Sequence, residues 1–168
     1  MTREDPTPFT FGDLAVHTFA TWGLFSLVAL AHGAIHASAV SDSYGYGLPG
    51  FISSLAVLVS LVLVWVGAPV AWLVARAMRR VTSTWTHLAV FWAVGAVASL
   101  PALWLGSAFT PYENTQQAIT WILVGAVLCG TCASAGRAIA FGARTRRERR
   151  AATPDPEDEL LDALGSQG

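Results

Sequence analysis

The chain has 168 residues, of which 54% are hydrophobic and 12% charged, where a soluble globular domain carries about a quarter charged residues. The formal net charge of −1 conceals segregation, because all ten basic residues are Arg and nine of them fall between Arg76 and Arg150. These figures argue against a soluble domain, a nucleic-acid module and a secreted disulfide scaffold, and they point to an all-α integral membrane protein.

Residues 1–13 form a short amino-terminal segment with Arg3 set against Glu4, Asp5 and Asp13. The first charge-free run, 14–39, is long enough to cross a bilayer as helix, which takes roughly 20 apolar residues. Ala37-Ser38-Ala39 has the small-residue pattern of a signal-peptide cleavage site. The region before the run is acidic rather than basic, and its apolar stretch exceeds the roughly 7–15 residues of a signal, so the first span is read as retained. A turn-rich connection around Asp42 precedes the second run, 51–74, which ends at Arg76, Arg79 and Arg80. The third run, 85–105, leads through a short connection containing Glu113 into the fourth, 118–140. The spacing thus predicts a four-transmembrane-helix bundle over 14–140.

Short-loop arginines stay on the cytoplasmic side of a membrane. Arg76, Arg79 and Arg80 after the second span, with Arg144, Arg146, Arg147, Arg149 and Arg150 after the fourth, place both termini in the cytoplasm and the Asp42 and Glu113 connections outside. The same eight arginines are candidates for contact with anionic lipid headgroups. Residues 141–168 read as a basic and then acidic cytoplasmic tail, disordered or partly helical, with Leu160, Leu161 and Leu164 edging its acidic part. An Arg-only basic set and a compact chain suggest a bacterial inner-membrane protein.

Within the spans, Pro69 and Pro101 remove backbone donors opposite the carbonyls of Trp65 and Val97 and bend their helices. Gly125, Ala126, Cys129, Gly130, Ala133 and Ser134 recur at three- and four-residue spacing, a small-residue face against which another helix can pack closely. Trp85, Trp104 and Trp121 fall near span ends, where aromatic belts form. Arg137 is the most deeply placed charge, and its long side chain is expected to snorkel to the inner surface.

Three constellations carry potential chemistry. His32 and His36 lie one turn apart toward the outer end of the first span, the spacing of two metal ligands or of a pH sensor, but the sequence supplies no third ligand. His17 and His87 sit at matching depth, as a bis-histidine haem requires, without any haem-attachment motif. Cys129-Gly130-Thr131-Cys132 is a redox candidate, and a CxxC in a fourth span resembles the quinone-linked thiol oxidases of the disulfide-forming and vitamin K epoxide reductase types. Those enzymes relay electrons to further cysteines in an external loop, whereas this chain has two cysteines in all, so packing is the simpler role. No catalytic residue and no cofactor is assigned.

The sequence favours a non-enzymatic accessory or interaction subunit whose partners are the bilayer and another membrane protein or a second copy, with no nucleic acid. Two alternatives remain open: a transporter or channel component with its pathway between the Pro69 and Pro101 helices of an oligomer, and a metal- or redox-linked membrane enzyme.

Overall fold

A computed structural model describes residues 10–39, 47–108 and 114–151. The Asp42 and Glu113 connections, the amino-terminal segment before Thr10 and the acidic tail lie outside the described residues. Four long helices carry the fold: α1 (Phe11–Ala39), α2 (Gly47–Ala77), α3 (Thr84–Ala108) and α4 (Thr115–Ala151). Each is long and apolar enough to cross a membrane.

All four extend beyond the charge-free runs, for local reasons. At α1 a capping box starts the helix early: the Thr10 hydroxyl accepts from the Asp13 N–H at 3.2 Å, and the Asp13 carboxylate accepts from the Thr10 N–H at 3.1 Å. Asp13 therefore belongs to the first helix rather than to the segment before it. Helix α2 begins at Gly47 because Pro49 falls in its first turn, where the missing N–H has no intrahelical partner to lose. Ser83 caps α3 through the Thr86 N–H, and Asn114 caps α4 through the Gln117 N–H at 2.8 Å. At its other end α4 runs past Ala140 through the arginine block to Ala151, so residues 141–151 are helix, continuous with the fourth apolar run. Arg, Ala and Glu are good helix formers there, and Arg144 pairs with Glu148 one turn on at 2.8 Å.

Consecutive helices run antiparallel, so the start of α1, the end of α2, the start of α3 and the end of α4 share one arginine-bearing end. Laterally the helices form an open row, α2–α1–α4–α3, in which α2 and α3 scarcely meet. Pro69 and Pro101 are exposed on these separate flanks, so a single copy builds no passage between them.

The small-residue face works as expected toward α3. A Cβ on Gly130 would stand 2.7 Å from the Trp92 carbonyl oxygen, and one on Gly95 would stand 2.6 Å from the Ala133 Cβ, so only glycine lets the α3 and α4 backbones approach this closely. Toward α1 the close contact comes from Gly136, outside the expected strip, which lies against Thr21 and the His17 carbonyl. The α1–α2 interface is made by larger side chains: the Trp22 indole donates to the Val57 carbonyl at 3.2 Å, and Phe19 meets Trp65 edge to face at 5.7 Å. Trp85, Trp104 and Trp121 are all exposed near helix ends.

Candidate functional site

Polar residues gather at the arginine-bearing end of α1, α3 and α4. On α1, Asp13, His17 and Thr21 are spaced four apart and so share a face. Asp13 is 4% exposed and pairs with Arg147 of α4 at 2.9 Å; it also acts electrostatically on Arg137. Since Arg147 is half-exposed, the bridge joins a buried carboxylate to a guanidinium at the rim. The carboxylate's second oxygen is held by the helix cap, so its charge is fully engaged.

Arg137 does not snorkel to the surface but is only 5% exposed. Its guanidinium carbon lies 5.0 Å from the centre of the Phe91 ring and 4.4 Å from that of Phe141. Aromatic faces attract the planar cation, and the burial they impose strengthens that attraction. His17 meets the far side of the cluster through Phe91 at 5.0 Å, and His87 meets Phe141 at 5.6 Å. The order His17–Phe91–Arg137–Phe141–His87 is thus a continuous chain of edge-to-face and cation–π contacts, and side chains fill the space between the two histidines. The Nε2 of His87 donates to the Val81 carbonyl at 3.0 Å, which ties the start of α3 to the turn leaving α2. The Nδ1 atoms of both histidines and the Thr21 hydroxyl are buried without a hydrogen-bond partner among the described residues.

The other sequence candidates lie apart from this cluster. His32 and His36 are adjacent, with ring centres 4.4 Å apart, and exposed at the opposite end beside Trp121. Among the described residues no group of three or more His, Cys, Asp or Glu side chains is placed to hold a metal. Cys129 and Cys132 are free thiols within the α4 packing surface, Cys129 within hydrogen-bonding reach of Ser99 on α3.

The arginines divide into two settings. Arg144 and Arg147 are engaged by Glu148 and Asp13, while Arg146, Arg149 and Arg150 are exposed along the same helix. Arg76, Arg79 and Arg80 instead line, with Leu73 and Ala77, a shallow, open hollow at the end of α2. Sequence reading missed Asp13, Thr21, Gly136 and the two phenylalanines as members of one cluster. The Thr10-x-x-Asp13 capping pattern was the available signal for the first, and the phenylalanines carried none.

No known protein family, characterised protein or solved structure matches this chain.

Proposed function

We propose that the chain is a multi-pass protein of the cell membrane, of bacterial inner-membrane type, with four spans and both termini cytoplasmic, and that it acts as a non-enzymatic accessory or interaction subunit. The arginine distribution supports the orientation, since the rule that keeps short-loop arginines inside applies to every arginine at the shared end. The observation that carries the functional reading is the open row of helices. Helix α2, strongly apolar, is packed along its length by α1 alone, and Leu58, Val62 and Val66 are each more than half exposed. In a bilayer such a flank meets either lipid or the span of another protein. Meanwhile Asp13 and Arg147 hold α1 to α4, and Arg137 packs between Phe91 of α3 and Phe141 of its own helix.

A photo-crosslinking residue placed at Leu58, Val62 or Val66 in native membranes tests this. A discrete protein adduct of constant mass from these positions, absent from the α4 surface at Arg149, is the expected result. Lipid adducts alone from all three positions would refute the interaction role. Reporter fusions at the carboxyl terminus and in the Asp42 connection test orientation independently.

A further inference from the structure

We infer that the hollow at the end of α2 is a binding site for an anionic phospholipid headgroup carrying two phosphodiester groups. The inference deepens the membrane reading and rests on it. Its warrant begins with the chain's geometry after Arg76. Helix α2 stops at Ala77 and tightens into a 3-10 turn over Met78–Arg80, closed by the Val81 N–H donating to the Met78 carbonyl at 2.9 Å. Arg79 and Arg80 follow Arg76 by three and four residues, the spacing that sets side chains on one side of a helix end, and all three line the same hollow. Ala75 and Met78 are buried and anchor the inner side of this segment, leaving Leu73, Arg76, Arg79 and Arg80 directed outward. The bond from His87 to the Val81 carbonyl fixes the turn from the α3 side, so the three arginines stand on a pinned support.

Among the described residues nothing compensates the charge in this hollow. Neither ion pair among the described residues uses Arg76, Arg79 or Arg80. The helix end contributes roughly −0.5 of a charge against three guanidiniums, so the balance stays strongly positive. The Arg76 guanidinium lies 5.4 Å from the Trp72 ring, which orients its plane while leaving its edge N–H groups available. Guanidinium forks bind phosphate oxygens in pairs, and three of them match two phosphates better than one. Leu73 borders the hollow on the side of the apolar span, where a lipid's acyl chains leave its headgroup. A soluble anion would have no use for that border. The α4 arginines make a poorer site because Glu148 and Asp13 already occupy two of them.

The test is native mass spectrometry of detergent-purified protein titrated with diphosphatidylglycerol, phosphatidylglycerol, phosphatidylcholine or inorganic pyrophosphate. One diphosphatidylglycerol should be retained at about tenfold or more lower concentration than phosphatidylglycerol, with phosphatidylcholine weaker still. Arg76→Gln with Arg79→Gln and Arg80→Gln should lose about tenfold or more of that retention, and Arg146→Gln with Arg150→Gln should keep it. Leu73→Trp fills the hollow without touching a charge and should also weaken retention by several-fold, a readout that a general attraction of arginines for anions would not move. Equal retention by the wild type and Leu73→Trp, or pyrophosphate binding as tightly as the lipid, would overturn the proposal. Resistance of the same protein to alkaline extraction from liposomes reports on the membrane reading itself, so failure of the site and failure of membrane residence give different results.

Discussion

The two arginine clusters at one end of this molecule have the same residue type and opposite structural fates. After α2 the helix stops, the chain tightens into a 3-10 turn, and Arg76, Arg79 and Arg80 line a hollow that no carboxylate among the described residues pairs with. After the fourth apolar run the helix continues, and acids at helical spacing or across the bundle take up Arg144 and Arg147. A basic block is therefore not one kind of feature. What decides between a ligand site and a structural clasp is whether the backbone remains regular long enough to bring acids within reach.

The clasp depends on the close approach of α1 to α4, so the largest effect is expected where that approach is made. Gly136→Leu would drive a side chain into Thr21 and the His17 carbonyl, where a Cβ alone already stands 3.0 Å from that oxygen. Overpacking of this kind costs about 1–3 kcal/mol, and more where backbone rather than side chain must move. Thermal or sulfate-detergent unfolding of the purified protein should show a clear loss of stability. Gly142→Leu, at a position with open space around it, should show almost none.

The buried side of the clasp comes next. Asp13→Asn keeps the shape and much of the capping capacity but removes the charge facing Arg147 and Arg137, and a loss of about 1–3 kcal/mol is expected. Arg147→Gln should cost less, about 0.5–1 kcal/mol, because that guanidinium is 53% exposed and water replaces part of the interaction. A double-mutant cycle of the two substitutions should return a coupling of about 1 kcal/mol. Additive losses would mean that the ion pair contributes nothing beyond its separate parts.

The contrast between the clusters also marks how far the sequence could be read. The four helices were legible because charge-free runs of spanning length admit few other structures. Their boundaries were less so: Asp13 looked like the end of a polar segment, yet its carboxylate completes a cap with Thr10, and the arginine block looked like a tail although its residues favour helix. Helix order was illegible for a different reason. The helices carry no strong periodic apolar stripe to mark a buried face, and the row α2–α1–α4–α3 follows from glycine contacts at α3–α4 and α1–α4 and from large side chains at α1–α2, none of which one sequence pairs. The direction of the Arg137 side chain was not legible, since it depends on Phe91 and Phe141 arriving from two helices. The candidate histidine pair was adjacent as its spacing implied, but the acids proposed to join it lie outside the described residues.

The smallest expected effect gives the finest test of what separates a clasp from a surface pair. Arg144 and Glu148 face each other at 2.8 Å on one helix, with the glutamate side chain 58% exposed. Here the solvent competes with both partners, and the pair spans a single turn that the helix would form in any case. Arg144→Gln should therefore change stability by no more than about 0.5 kcal/mol, and added salt should erase the difference. Asp13→Asn should retain most of its deficit under the same salt, because its carboxylate is buried and screened less. If salt abolished both effects equally, the Asp13–Arg147 contact would be a surface pair like the other, and the distinction between the two settings of arginine would reduce to the hollow at the end of α2.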